Sequence, residues 1–436
     1  MSTIVHEGAS ALKIASAPRA EWFGHPRGLT ILFLTEMWEK FSYFGMRALL
    51  VYYMTKSLAM PQSQASWVYG IYTAFAYFTP IVGGLIADRF LGRRSAVILG
   101  GSIMALGHFM MAFESLFYPA LATIALGNGL FLPSLPSQVL TLYDANDPRR
   151  TTAYNIYYVG INLGAVLAPF VCGTLGELYG WHWGFGAAGI GMCLGLLIYI
   201  GGSQYLPESV RQVQTREAAS QAERDTFMKR LGLLIGVVAM VVVFRGAYEQ
   251  IGNTVALWAD SSVDRSVGPG WTIPGSWFQA LNPLLVFMLT PVLLAIWRKR
   301  GRPTAPVRRM AIGAFIVAAA YVLLALVSQA AGGLQAHWVW LVLFLIVYTT
   351  GELFILPTGL ALFGQLAPAT LAATSIALWF SASFGGNLLA GALGSWWSRM
   401  DHATFFLSMA GVAALAASLL LLVDRPARNV LRTDAT

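Results

Sequence analysis

A chain of 436 residues that is 57% hydrophobic and only 11% charged lies far from the roughly 25% charged composition of soluble domains. With a mean hydropathy of +0.62, this composition excludes a large water-soluble enzyme and a disordered chain. The net charge of +8 would suit a nucleic-acid partner, but the placement of the basic residues points to membrane topology instead.

Apolar runs of about 20 residues, the length that crosses a bilayer core, recur twelve times. In the first half they fall near 29–55, 65–87, 95–113, 117–142, 152–177 and 182–203. In the second half they fall near 231–258, 273–297, 308–331, 337–365, 370–396 and 403–423. The first 27 residues hold no apolar stretch ahead of a cleavage site, so span 1 itself is expected to direct insertion. The longest charged stretch, 207–230, reads as a solvated linker or surface helix. The expected organisation is a tail (1–27), a six-helix bundle (28–203), a linker (204–230), a second six-helix bundle (231–423) and a tail (424–436). Cys172 and Cys193 both lie in apolar runs and read as buried structural residues rather than a disulfide framework.

Of the 28 Lys and Arg residues, 22 fall on the side of the N-terminus, three on the other (Lys56, Arg265, Arg399) and three within spans. By the positive-inside rule both termini are cytoplasmic, in a cell membrane that would be the inner one in a bacterium. The expectation is an all-α membrane protein in contact with lipid and with no nucleic-acid partner.

The loop after span 2 reads GGLIADRFLGRR (83–94), and the equivalent loop after span 8 reads WRKRGRP (297–303). Two six-helix halves with related basic loops outline a pseudo-symmetric transporter. The first loop resembles the Gly-x-x-x-Asp-Arg…Gly-Arg-Arg signature of the major facilitator superfamily, with one extra residue before Gly92. Its expected role is a gate-side charge clamp. The implied fold is twelve transmembrane helices in two pseudo-symmetric six-helix bundles.

Seven ionisable residues lie well inside the spans: Glu36, Glu39, Lys40, Arg47, Arg245, Glu249 and Glu352. Each would cost roughly 2.5–3.5 kcal/mol at the centre of an isolated helix, so they are expected to line an internal cavity. In span 1, Glu36, Glu39, Lys40, Tyr43 and Arg47 fit one helical arc of about 100°, with Trp38 facing the other way. In span 7, Arg245 stands one turn before Glu249 and can pair with it locally. In span 10, Glu352 stands alone, five residues before a Pro-x-Gly break (357–359). A lone carboxylate there could take a proton from one side and release it on the other.

At these residues the chain resembles the proton-coupled oligopeptide transporters. That family's helix 1 reads Glu-x-x-Glu-Arg-Phe-x-Tyr-Tyr-Gly-Met-Arg, matched here by Glu36, Glu39, Lys40, Phe41, Tyr43, Phe44, Gly45, Met46 and Arg47. Further matching stretches are AYFTPIVGGLIADRFLG (76–92), YYVGINLGAVLAP (157–169), YEQIGN (248–253), WFQALNPLL (277–285), GELFILPTGLAL (351–362) and LWFSASFGGN (378–387). The resemblance implies symport of di- and tripeptides with protons by a functional monomer, with no cofactor beyond the coupling proton and no metal. It implies proton coupling at Glu36, Glu39, Lys40 and Glu249. It further implies that Arg47 binds the peptide carboxylate and that Glu352 receives its ammonium. Tyr43, Tyr77, Asn162, Asn282, Trp379 and Ser383 then line the pocket. A planar guanidinium suits a carboxylate because it can bind bidentately.

Three positions depart from the family. Leu132 stands where the family has Lys before Pro, in Gly127-x-Gly129-x-x-Leu132-Pro133; Lys40 replaces Arg; and Arg245 stands where Trp is common. Arg245 is expected to compensate for the charge missing at 132. The helix 2 histidine of animal members aligns with Gly70, so carboxylates are expected to carry the protons. The alternative is a facilitator-type transporter of another solute, such as nitrate, a sugar or a drug. An intramembrane enzyme is disfavoured because neither a nucleophile elbow nor a His-rich metal cluster is apparent. A channel is disfavoured because the polar groups carry opposite charges rather than forming repeated rings.

Overall fold

A backbone surrounded by lipid must satisfy its own N–H and C=O groups, and apolar segments do so as helices. The computed structural model describes residues 21–144, 147–207, 221–300, 304–366 and 371–432. In chain order the helices are α1 (Arg27–Tyr52), α2 (Gln62–Ile86), α3 (Arg93–Met110), α4 (Phe117–Ser134), α5 (Pro136–Thr141), α6 (Arg149–Ala168) and α7 (Trp181–Gly201). They continue as α8 (Gln221–Tyr248), α9 (Thr254–Ser261), α10 (Trp277–Arg300), α11 (Pro306–Ala331), α12 (Trp338–Leu366), α13 (Ala372–Gly394) and α14 (His402–Arg432). Among the described residues ten helical stretches are long and apolar enough to span a membrane. α1 falls outside that ten because of its charges, and α3 because it opens on Arg93 and Arg94. The protein is thus all-helical with about ten to twelve apolar helices.

Several elements differ from the expected spans, each for a local reason. Span 4 divides at Pro136 into α4 and α5, since proline removes a donor and crowds the preceding turn. After Ala168 the chain widens into π-helical turns at Pro169–Gly173 and Leu175–Tyr179. Span 7 breaks into a 3-10 turn at Glu249–Gly252 between α8 and α9. The Pro-x-Gly at 357–359 does not break its span, because α12 runs helically through Pro357. α14 continues to Arg432, past the expected boundary at 423, with Arg428 paired to Asp424 at 3.0 Å one turn away. Gln221–Arg230, expected in the linker, is the first part of α8, while 208–220 lie outside the described residues.

The extra residue in the loop after span 2 has a structural counterpart. Ala87–Leu91 form a π-helical turn closed by the Gly92 N–H on the Ala87 carbonyl at 2.8 Å. Such a turn holds one residue more than an α-turn. Gly92 then takes a φ of +77°, which favours glycine, and Arg93 faces Asp88 at 3.8 Å. Residues 301–303 of the second basic loop lie outside the described residues.

Helices pack in two sets. α1 lies against α6 and α7, α3 against α4 and α7, and α2 against α4. α11 lies against α12 and α14, α8 against α13 and α14, and α10 against α12. The second set encloses one apolar core around Phe244, Tyr321, Phe344, Tyr348 and Phe406. The first set has two, one around Leu49, Tyr53 and Phe185 and one around Leu32, Phe131 and Tyr199. Cys172 is buried, Cys193 is half-buried and both are free thiols.

The sets meet where α2 packs on α13 and α6 on α10. At the first junction the backbones nearly touch: a Cβ on Gly70 would sit 2.5 Å from the Gly391 Cα. A histidine at position 70 has no room in this arrangement.

One end of the molecule is tied across the sets by polar contacts. Lys56 pairs with Asp260 at 2.7 Å, and Asp260 also takes Arg265 at 3.0 Å. Gln62 donates to the Gly394 carbonyl and Ser66 to Asn253 Oδ1, both at 2.9 Å. Glu177, at the end of the π-helical extension of α6, accepts the backbone N–H groups of Gly275 (2.9 Å) and Ser276 (2.7 Å) just ahead of α10. A carboxylate there satisfies donors that a helix start leaves open.

At the opposite end, α1 is preceded by a short antiparallel pair, β1 (Glu21–Trp22) and β2 (His25–Pro26). Arg149 reaches it by pairing with Glu21 at 2.8 Å while also binding Asp147. The same guanidinium holds the Asp147 carboxyl below the usual carboxylate range. A second small pair, β3 (Val263–Asp264) with β4 (Ala336–His337), is parallel.

The backbone contact at Gly70 gives a direct test. Gly70→Leu should force α2 from α13 and lower stability by about 1–3 kcal/mol, seen as a reduced unfolding midpoint of the purified protein in detergent.

Candidate functional site

The polar arc of α1 is real and divides into two groups. Lys40 Nζ lies 2.6 Å from Glu39 Oε2 and 3.3 Å from Glu36 Oε1. Both acids are essentially fully buried, and Lys40 is 9% exposed. This triplet faces α6, where Gly164 leaves room for the base of the Lys40 side chain and Tyr157 lies beside Glu36. Two anions against one cation leave a formal charge of −1. Trp38 turns the other way, onto Gly191 and Gly195 of α7.

Nearer the end of α1, Arg47 crosses between the sets. Its Nη2 donates to Glu249 Oε2 at 2.7 Å and its Nε to the Tyr69 hydroxyl at 2.7 Å. Glu249 is also bound from its own helix, because Arg245 Nη1 donates to Oε1 at 2.6 Å. The local pair and the cross-set pair therefore exist together, and the cluster of two arginines and one glutamate carries a net +1. Glu249 begins the turn that separates α8 from α9, so the junction falls at a discontinuous helix, as in many transporters. Arg245 lies over the rings of Tyr77 (5.7 Å) and Tyr248 (5.8 Å), distances suited to cation–π attraction.

Glu352 forms a separate pole on α12. Its Oε2 accepts from Asn282 Nδ2 of α10 at 2.7 Å, and the same amide donates to Thr349 Oγ1 at 3.0 Å. The Tyr248 hydroxyl lies beside this carboxylate. Glu352 is therefore not alone, as its span suggested: an amide and a phenol from other helices meet it. Arg47, Tyr77, Asn282 and Glu352 are all only partly buried.

The remaining expected residues sit around these poles or behind them. Tyr43 is buried against Phe44, and Tyr77 stacks on Phe380 of α13. Asn162 is buried on α6 and donates to the Tyr158 carbonyl one turn back. Trp379 packs into the core of the second set against Phe363 and the backbone of Gly359. Ser383 is buried on α13, and its carbonyl accepts from Asn387. Leu132 is half-buried on α4. No group of three or more His, Cys, Asp or Glu side chains that could hold a metal occurs among the described residues.

Sequence reasoning missed four polar residues. Tyr69 anchors Arg47, and its spacing to Tyr72, Thr73 and Ala76 could have marked the face of α2 that it occupies. Tyr248 lay within the YEQIGN stretch without a role. Asp260 falls eleven residues after Glu249, about three helical turns, which hinted at a shared face. Glu177 gave no signal, because its partners, two backbone N–H groups and Arg265 at 3.8 Å, all lie far away in sequence.

Comparison with known proteins places this arrangement. The family model described as the POT family matches residues 94–212 and 205–408. A di-/tripeptide transporter of Lactococcus lactis subsp. cremoris is 31% identical, with 93% of this chain and 96% of the relative covered. The peptide transporter YePEPT of Yersinia enterocolitica is also 31% identical, with 94% and 96% covered. Among solved structures, a mutant of a peptide transporter POT in complex with alafosfalin superposes with a TM-score of 0.86 at 30% identity, covering 95% of this chain and 98% of that one.

The amide–carboxylate contact can be measured apart from any activity. A double-mutant cycle of Asn282→Ala and Glu352→Ala, read from unfolding in detergent, should give a favourable coupling of about 1.5–3 kcal/mol. A cycle near zero would mean that the two groups do not interact.

Proposed function

Because the chain belongs to the POT family, we propose that it is a proton-coupled symporter importing di- and tripeptides by alternating access between two six-helix bundles, residues 28–203 and 231–423. The observation that carries this reading is the cross-set bond from Arg47 to Glu249, with a second carboxylate pole at Glu352. A short peptide presents a carboxylate, an ammonium and a fixed amide spacing, and a site with separated charges of opposite sign reads what all such peptides share. Arg47 takes the carboxylate and Glu352 the ammonium. Tyr43, Tyr77, Asn162 and Asn282 border the backbone, and Trp379 and Ser383 bound the side-chain pocket from α13. Arg245 supplies positive field that Leu132 does not.

Protons enter at Glu36 and Glu39, with Lys40 and Glu249 completing the coupling set. Protonating either acid beside Lys40 removes one of the two anions that hold its ammonium, which makes the α1–α6 contact sensitive to charge. The Arg47–Glu249 bond must yield before the bundles can rock apart at that level. The driving force is ample: about 2.3 kcal/mol per charge per 100 mV and about 1.4 kcal/mol per pH unit.

The protein works as a monomer surrounded by lipid, in the inner membrane of a bacterium, with twelve spans and both termini cytoplasmic. The asymmetry of Lys and Arg supports this orientation. The tied end, with Lys56, Asp260 and Glu177, is then the outer one, and the arrangement faces inward.

In proteoliposomes, uptake of labelled dialanine should follow an inward proton gradient and collapse with a protonophore. Glu36→Gln or Glu39→Gln should abolish uphill uptake while sparing much of the counterflow exchange. Uptake indifferent to the protonophore would refute proton coupling.

A further inference from the structure

We propose that Arg245 is the resident counter-ion of Glu249, a positioning residue that lets Arg47 exchange Glu249 for the carboxylate of the cargo. The inference rests on the reading that the cargo carries a free carboxylate.

The two oxygens of Glu249 are divided between two guanidiniums from different helix sets. Arg47 occupies Oε2 at 2.7 Å and Arg245 occupies Oε1 at 2.6 Å, so neither displaces the other. The two arginines are not equally free. Arg245 keeps 7% of its side chain accessible, bonds one turn along its own helix, and lies over the Tyr77 and Tyr248 rings. Its aliphatic stem presses on α13 where a Cβ on Gly386 would stand 2.3 Å from the Arg245 Cβ, so glycine at 386 is what admits the side chain. Arg47 comes from the other set, keeps 13% of its side chain accessible, and has one further hydrogen bond, to Tyr69.

Removing one partner of a buried ion pair is strongly unfavourable because a bare charge remains. If Arg47 were the sole cation on Glu249, every departure of Arg47 toward a ligand would leave such a charge. Arg245 stays with Glu249 throughout, so the carboxylate keeps a cation while Arg47 turns to the cargo. Arg47, Arg245 and Glu249 total +1, and a bound carboxylate brings the cluster to neutrality. Arg245 thus acts through Glu249 on the availability of Arg47 without itself touching the peptide.

Binding of dialanine and of its C-terminal amide to the full-length protein in detergent tests this. R245A should weaken dialanine binding by about tenfold or more, equivalent to about 1.4 kcal/mol, and change amide binding by much less, because only the carboxylate needs Arg47. R245K, which restores a cation one turn from Glu249, should recover most of the loss. The double variant R245A/E249Q should regain dialanine affinity, since no anion is left to retain Arg47. Unchanged dialanine binding in R245A, an equal loss for the amide, or no recovery in the double variant would each overturn the proposal. An R245A protein that does not fold is judged by the double variant: recovery of folding and binding supports the proposal, and failure of either refutes it. Wild-type protein that ignores dialanine would instead sink the cargo reading itself.

Discussion

The contact on which the arrangement depends is the ion pair between Arg47 and Glu249, one residue from each packed set of helices. A charge buried in a membrane protein is tolerated when it is paired or faces a wet interior. Here the pair bridges the junction, so the sets cannot separate at that level without a new partner for Arg47, while Glu249 keeps Arg245. Everything nearby is arranged around that constraint. Tyr69 fixes the Arg47 guanidinium from α2, Arg245 holds the second oxygen of Glu249, and the helix breaks immediately after. The Ala247 and Tyr248 carbonyls just before this turn accept from the Tyr321 and Tyr348 hydroxyls of α11 and α12.

Polar contacts between the sets run from this pair toward one end. Tyr52 reaches the Ala256 carbonyl, Gln279 the Ala48 carbonyl, and beyond them come the Lys56–Asp260–Arg265 group and the Glu177 cap. Irregular helix is concentrated on the same side, in the π-helical turns after Tyr52 and after Ala168. Three of the four π-helical turns among the described residues thus lie where the two sets are tied together, while the fourth, Ala87–Leu91, closes the loop after α2.

Much of this was legible in the sequence, and the exceptions share a cause. Charged residues in apolar spans are expensive, so Glu36, Glu39, Lys40, Arg47, Glu249 and Glu352 stood out by position alone, and helical spacing placed the first four on one arc. What spacing along one helix cannot give is a partner on another. Glu352 stands solitary in its span because its donor, Asn282, is seventy residues away, and Glu177 carries no signal because its backbone donors and Arg265 lie on distant segments. The break read from proline and glycine at 357–359 is absent, since α12 runs unbroken through Pro357, while the division of span 4 at Pro136 was not foreseen. Trp379, read as pocket lining, is also a member of the second core, a distinction that composition cannot draw.

The meeting of α2 and α13 at Gly70 and Gly391 has a mechanical consequence. Where two helices touch through glycines, the contact holds them close but offers no knobs to lodge in holes. Such a seam opposes being pulled open far more than being turned about its point of closest approach. The ring contacts Phe75–Phe384 and Tyr77–Phe380, farther along the same two helices, add side-chain grip beyond that bare backbone crossing.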